Sequence, residues 1–327
     1  MHTPVSPTSH PSPHPYSTLG PDTVLDALES LGLRPDGRQL ALNSYENRVY
    51  QVGMEDGPPL IVKFYRPQRW SDEAILEEHA FVAELAEQEI PAVPALTLAG
   101  RTLHHFQGFA FALFPRQGGR APELGDPDTL EWLGRFMGRI HAVGAIQPYR
   151  HRPALTPHTF GTESRDWLLA NNFIPPELLA SWQSTADMAL QGVARCYERA
   201  GTVATLRLHG DCHMGNVLWT DAGNHDQAPG PHFVDFDDSR IGPAIQDLWM
   251  LLSGERDEMQ RQLNDVLEGY RDFYDFNPRE LHLVEALRTL RLLHFSAWLA
   301  RRWDDPAFPA SFPWFNTQRY WQDRILE

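Results

Sequence analysis

The stretch His209-Gly210-Asp211-Cys212-His213-Met214-Gly215-Asn216 runs directly into the apolar segment Val217-Leu218-Trp219, and a second apolar pair ending in an acid, Phe233-Val234-Asp235, follows soon after. Between them lies a polar turn with Gly223-Asn224 and Pro229-Gly230-Pro231. Short apolar runs separated by Gly and Pro clusters read as strands of a hairpin, here 217–219 and 232–236. Such a hairpin brings Asn216 and Asp235 to neighbouring ends, close enough to share a cation. Mg²⁺ takes one or two carboxylates and keeps phosphate oxygens and water as its other ligands, so a sparse Asn/Asp pair suits it.

Asp211 stands five residues before Asn216. That is the spacing of the kinase catalytic loop, in which the Asp orients the attacking hydroxyl and the Asn holds a metal ion. Phosphoryl transfer needs little covalent help from a protein; it needs an in-line hydroxyl and cations to absorb charge on the phosphates. The upstream chain supplies the matching parts. Arg48 to Val52 and Leu60 to Tyr65 read as two strands around a Gly57-Pro58-Pro59 turn, and Pro67 ends the second. Ser71 caps a helix from Asp72 to about Gln88, with Ile75, Val82, Leu85 and Ala86 at helical spacing. A second hairpin is expected over Leu96 to Leu98 and Gly108 to Phe114. Strand, strand, helix, strand, strand is how a kinase N-lobe is built. Lys63 would reach the nucleotide phosphates, and a helix Glu would hold it. Glu77 or Glu78 could serve; Glu78 shares the Ile75, Val82, Leu85 face and is the expected partner.

Before this unit, Asp22 is expected to cap a helix from Thr23 to Leu31 that closes at Gly32. After it, Phe111 to Pro115 reads as the crossing into a helical lobe, where backbone groups would meet adenine, with Gln117-Gly118-Gly119 making the turn. A helix from Thr129 to Val143 carries His141, read as a hydrogen-bonded core histidine. Further helices are expected at 177–197, 260–275 and 279–303, and Trp298, Trp303, Trp314 and Trp321 read as packing aromatics. Asp247 is expected to cap a helix and bond the catalytic-loop backbone. Asp237 and Asp238 rank behind Asp235 as ligands.

The chain has 327 residues, 42% hydrophobic and 22% charged, with a net charge of −15. It is long enough for one large or two modest domains. The acidic balance argues against a nucleic-acid partner, which needs clustered Lys and Arg. No run approaches a membrane span. The first sixteen residues, rich in Pro, Ser, Thr and His, cannot bury enough surface to offset chain entropy, and 1–18 is expected to be a disordered tail. Cys196 and Cys212 form no C-x-x-C pair, which fits reduced, cytosolic chemistry, and Cys212 reads as a small residue filling a tight turn.

The H-G-D-x-x-x-x-N form, with Gly210 where eukaryotic protein kinases carry Arg, resembles the aminoglycoside phosphotransferase and choline kinase branch of the kinase-like fold. Together with Asn43-Ser44-Tyr45-Glu46-Asn47-Arg48-Val49-Tyr50, Val62 to Pro67, Gly242 to Trp249 and the Trp303-to-Trp314 tail, the chain from about residue 20 onward resembles the bacterial stress response kinase A family. The resemblance implies an α+β bilobal protein-kinase-like fold, with a small antiparallel-sheet N-lobe carrying one helix over 19–113 and a larger, mainly helical C-lobe over 114–327. No G-x-G-x-x-G occurs; in the resembling family the 43–48 loop covers ATP, and Ser44 is the matching nucleotide-contact residue. Its hydroxyl and the loop N–H groups can donate to phosphate oxygens. Asp211 and Asp235 are then the catalytic pair, Asn216 and Asp235 the Mg²⁺ ligands, and Ser44, Lys63 and Glu78 the ATP-binding set.

The acceptor divides the two arguments. After Asp235 the chain reaches the Asp247 helix within twelve residues, with no room for a conventional activation segment, which favours a small hydroxyl compound. The resemblance points to Ser/Thr of proteins, with autophosphorylation, in a cytoplasmic monomer that protects cells from stress-induced death, and that reading is preferred. Two rivals belong to other classes. A metal hydrolase would use His209, Asp211, His213 and Asp235, but leaves Lys63 and its Glu unexplained and lacks an H-E-x-x-H helix. A nucleotide-binding pseudokinase or scaffold is disfavoured because the Lys, Asp, Asn and Asp positions are all filled.

Overall fold

The computed structural model describes residues 14–123, 125–220 and 229–327. His2, His10 and the Gly223-Asn224 turn lie outside them. The first lobe is a five-stranded antiparallel sheet of β1 (Pro35–Ala41), β2 (Arg48–Met54), β3 (Leu60–Phe64), β4 (His104–Phe106) and β5 (Phe109–Pro115), in the order β1-β2-β3-β5-β4. β2 and β3 alternate as a one-sided sheet requires. Val52, Val62 and Phe64 point into a core with Phe111 and Leu113, closed by Val24 and Leu28 of α1 (Pro21–Glu29). Lys63 therefore faces the opposite side, paired across the sheet with Val49 and Ala112.

Several expectations shift here. Gly20 rather than Asp22 occupies the N-cap of α1, with Pro21 opening the helix, where its missing N–H costs nothing. β1 was not anticipated: Pro-Asp-Gly-Arg-Gln-Leu-Ala carries no strand alternation, because this edge strand is largely solvent-exposed. The partner of β5 is His104–Phe106, not 96–98; Leu96 makes one backbone bond to Leu113, at 2.7 Å, and Leu98 turns back on Arg101. Of the tail expected over 1–18, residues 14–18 are among those described. Tyr16 is buried, its hydroxyl donating to the carbonyls of Glu46 and Phe64, both at 3.2 Å, because one aromatic ring seals the end of this small core.

α2 (Asp72–Glu87), capped by the Ser71 hydroxyl, belongs by sequence to this lobe, yet it packs both ways. Ile75 joins Tyr65, Leu103 and Ala112 on the sheet side. Phe81, Val82 and Leu85 enter the main core of the second lobe.

That second lobe is mainly helical: α3 (Pro127–Gly144), α4 (Glu163–Ala170), α5 (Leu179–Ala200), α6 (Ile245–Trp249), α7 (Arg256–Tyr270), α8 (Val284–Arg301), α9 (Ala307–Ser311) and α10 (Gln318–Leu326). α3 lies backbone-to-backbone on α7: a side chain at Gly134 would collide with the Val266 carbonyl. Two small antiparallel pairs sit on the cleft side, β6 (Leu206–Leu208) with β9 (Arg240–Gly242), and β7 (Val217–Thr220) with β8 (Gly230–Phe233). β8 stops before Asp235 because that residue is left-handed, at φ 61°. Trp321 and the ring partners of Trp298 and Trp303 form a C-terminal aromatic cluster, as the spacing predicts, whereas Trp314 is 46% exposed and stacks on Phe295. Among the described residues no helix is long and apolar enough to cross a membrane.

Candidate active site

The loop 209–216 is fixed by buried backbone bonds. Asp247, fully buried inside α6 and not at its cap, accepts from the N–H of His209 at 2.7 Å and of Gly210 at 2.8 Å. Its carboxylate also meets His141 Nε2 at 3.1 Å, and His141 Nδ1 shares a hydrogen bond with Tyr270 at 2.8 Å. A buried carboxylate with three partners is well satisfied, which is why this chain of groups can sit in the core. The His209 ring donates to the Val234 carbonyl at 3.0 Å, tying the loop to the residue that follows β8. Gly210 stands at φ 88°, and a Cβ there would strike the Asp238 carbonyl, so only glycine fits. Cys212 is buried against Met137, and burial pushes its thiol well up, as an inert packing residue requires.

From this loop Asn216 donates its amide to the Asp211 carbonyl at 2.9 Å, which leaves the amide oxygen available. Lys63, buried on β3, reaches across the lobes to Asp235 at 3.0 Å and Asp237 at 3.2 Å. Burial alone would lower the Lys63 pKa; the two carboxylates outweigh it and hold the amine charged. Asp237 is buried, which opposes ionisation, but Arg69 and Lys63 bring its carboxyl down to about 2. Arg69 also holds Asp238 at 2.8 Å, and Arg240 holds the same oxygen at 2.6 Å.

Glu78 does not pair with Lys63. Its carboxylate is buried beside Arg152, at 2.8 Å, and that guanidinium also donates to the carbonyls of Ala74, Asp237 and Ser239. Glu77 accepts from the backbone N–H of Arg150, His151 and Arg152, at 2.7, 2.9 and 3.1 Å. Glu84 takes Arg207 at 2.7 Å. These three acids of α2, Glu77, Glu78 and Glu84, thus serve the second lobe, which holds the helix where its own apolar face has already placed it. Asp237, ranked below Asp235 on sequence, is the second counter-charge of Lys63. Arg152 has no sequence signal, since it sits in a Pro- and His-rich loop without periodicity.

Ser44, Val49, Lys63, Gln117, Asn216 and Asp235 line one cleft of about 340 Å³ between the lobes. Ser44 bonds its own loop, donating to the Asn47 carbonyl at 3.1 Å. That loop is gripped by the far C-terminus. Glu46 meets Arg302 at 2.5 Å and the Trp298 indole, while Arg48 and Arg66 reach the buried Asp305 at 3.2 and 2.6 Å. Asp211 is outside the cleft lining; its carboxylate faces Arg291 of α8, at 2.7 Å, with His213 at 3.6 Å from the other oxygen.

The donor set fits a hard divalent cation. The Asp235 side chain is 54% exposed with one oxygen on Lys63, and the Asn216 amide oxygen shares its cleft. Among the described residues no group of three or more His, Cys, Asp or Glu could hold a metal. One carboxylate and one amide oxygen form a sparse donor pair, which suits an ion that draws further ligands from phosphate and water.

A two-lobed α+β fold with these groups in the intervening cleft defines a phosphotransferase of kinase-like architecture, and the profile of the phosphotransferase enzyme family matches residues 38–284. The chain is 45% identical over 306 residues to stress response kinase A of Escherichia coli (strain K12), covering 94% of this chain and 90% of the relative. It is likewise 45% identical over 307 residues to the serine/threonine protein kinase RdoA of Salmonella typhimurium, with 94% and 90% covered. Among solved structures, amicoumacin kinase hAmiN in complex with AMP-PNP, Ca²⁺ and Ami shares the fold with a TM-score of 0.70 at 18% identity, over 93% of both chains. Spectinomycin phosphotransferase shares it at 0.59 and 13%, over 93% of this chain and 92% of that one. The chain therefore belongs to the phosphotransferase enzyme family and, within it, to the stress response kinase A group.

Proposed function

We propose that this chain is an ATP- and Mg²⁺-dependent serine/threonine protein kinase that also phosphorylates itself, acting as a cytoplasmic monomer in a stress response. The observation that carries the reading is the convergence of Lys63, Asn216 and Asp235 on one interlobe cleft, with Asp211 tied to Asn216 through its backbone. The names of the 45%-identical relatives support the Ser/Thr acceptor and the stress role. ATP would lie in the cleft with its phosphates toward Lys63 and under the Ser44 loop. Asn216 and Asp235 would hold Mg²⁺, which neutralises charge developing on the β- and γ-phosphates.

Asp211 orients the acceptor hydroxyl and accepts its proton. The new bond forms between that oxygen and the γ-phosphorus as the bond to the bridging oxygen breaks, and ADP departs with the electron pair. Lys63 exchanges part of its contact with Asp235 and Asp237 for phosphate oxygens, so the buried ammonium stays neutralised throughout. Glu78 holds Arg152 and, through it, the backbone of Asp237, and is a positioning residue.

A small-molecule acceptor is the second reading, favoured by the short path from Asp235 through β9 to α6. Transfer of labelled γ-phosphate with Mg²⁺, to the protein itself, to a generic Ser/Thr protein, and to amino alcohols and sugars, separates the two. Label on protein that drops at least ~10²-fold in Asp211→Ala is expected, the usual contribution of a positioned base. Label confined to small molecules would overturn the protein-kinase reading.

A further inference from the structure

Among the arginines around the site, one is poorly neutralised. Arg69, Arg152 and Arg240 are each buried against carboxylates or backbone carbonyls. Arg291, on α8, is 38% exposed, and its contacts among the described residues are one Asp211 oxygen at 2.7 Å and the Met250 sulphur at 3.8 Å. A guanidinium carries five N–H donors and thioether sulphur is a weak acceptor, so most of that capacity is unspent. Asp238, whose carboxyl also feels the Arg291 charge, is already held by Arg69 and Arg240. Arg291 therefore stands on the carboxylate that the proposed chemistry needs, with donors to spare, and His213 flanks the carboxylate's other oxygen.

This arrangement has a consequence for the acceptor. The Asp211 oxygen that faces His213 at 3.6 Å is open to a hydroxyl, and the half-exposed guanidinium on the other oxygen can bind a further anion of matching geometry with its remaining donors. A cationic acceptor would meet Arg291 and His213 with like charge or with donors it cannot use. We propose that Arg291 is the acceptor-specificity residue, and that the preferred acceptor is a Ser or Thr flanked by acidic residues, whose carboxylate takes the unspent guanidinium donors beside Asp211. The proposal rests on the kinase reading above and adds the acceptor's charge.

The test is a peptide series with one Ser or Thr in acidic, neutral or basic surroundings, together with hydroxy acids and amino alcohols. Each is assayed for kcat/KM with the full-length wild type, Arg291→Ala and Arg291→Lys, whose melting temperatures report folding. Wild type is expected to favour acidic peptides by ~10-fold or more, the scale of a charge-assisted hydrogen bond. Arg291→Ala should lose that preference through KM for the peptide with KM for ATP unchanged, and Arg291→Lys should retain part of it. Basic or neutral peptides preferred by wild type, or a preference that survives Arg291→Ala, would overturn the assignment while leaving the protein-kinase reading intact. A uniform rise of all rates in Arg291→Ala would overturn it too, making Arg291 a plug and not a reader of charge. Label on hydroxy acids alone, lost in Arg291→Ala, would keep Arg291 as the anion reader and remove the protein acceptor. Label on amino alcohols alone would remove both.

Discussion

Two loops face each other across the cleft, and they are held in opposite ways. The 209–216 loop is fixed from beneath by its immediate surroundings: one buried carboxylate, Asp247, binds two successive backbone N–H groups, and Gly210 closes against Asp238. The 43–48 loop has few backbone bonds of its own and is held by side chains from the other end of the chain. Glu46 takes Trp298 and Arg302, Arg48 takes Asp305, and Tyr45 packs edge-on to Phe312 with ring centroids 4.8 Å apart. The difference teaches that the chemistry-bearing loop is rigid by main-chain satisfaction, while the loop over the nucleotide cleft is positioned by ion pairs that can be altered one at a time.

The sharpest way to break this contrast is at its rigid side. Gly210→Ala forces a Cβ into the Asp238 carbonyl at a left-handed backbone position, and Asp247→Ala strands two buried N–H groups. Each should cost on the order of 3–5 kcal/mol in urea unfolding, with activity lost in proportion to folding. On the other side, Asp305→Ala should leave the fold standing but raise KM for ATP roughly 10-fold at near-constant kcat, since the loop and not the chemistry loses its anchor. A rise confined to kcat would contradict that division.

Acid sharpens it further. The Asp237 carboxyl is depressed from 3.8 to about 2, with burial opposing and Arg69 and Lys63 prevailing. A depressed folded-state pKa gives stability that is present above about pH 4 and lost as pH falls through about 2. Asp237→Asn should therefore be less stable than wild type at neutral pH, and the two urea-unfolding curves should converge between those pH values. The smallest effect is expected for Ser44→Ala, whose single hydroxyl bond to Asn47 predicts a change in KM for ATP of only about 2- to 10-fold.

The same contrast explains what the sequence could tell. The hairpin around Asn216 and Asp235 and the place of Lys63 on a strand are legible, because residues near in the chain carry them; the Asp247 contact, 37 and 38 residues from its partners, is reached instead through the Gly242 to Trp249 motif in which it stands. Even the burial of Glu78 follows from the helical face it shares with Ile75 and Val82. Its partner does not: periodicity says that a carboxylate points inward, and only the tertiary fold says that Arg152, from an unpatterned loop, is waiting there. Arg291, Arg302 and Asp305 are illegible for the same reason, being brought to the site from far along the chain. β1 escaped because an exposed edge strand needs no alternation, and Tyr16 because one buried ring leaves no pattern in a tail of Pro and Ser.

The packing of α2 has a consequence for how such an enzyme is controlled. In kinases the Lys-bearing strand and the helix beside it must be correctly placed together for turnover, which makes that helix a natural point of regulation. Here Phe81, Val82 and Leu85 are part of the second lobe's core, and Glu77, Glu78 and Glu84 are bonded to that lobe. Swinging the helix outward would expose three apolar side chains at about 1.5–3 kcal/mol each, before any ion pair is broken. A displaced state of that energy is scarcely populated at equilibrium. On the proposed reading, control would fall to what enters the cleft and what reaches Asp211, with the helix serving as fixed framework.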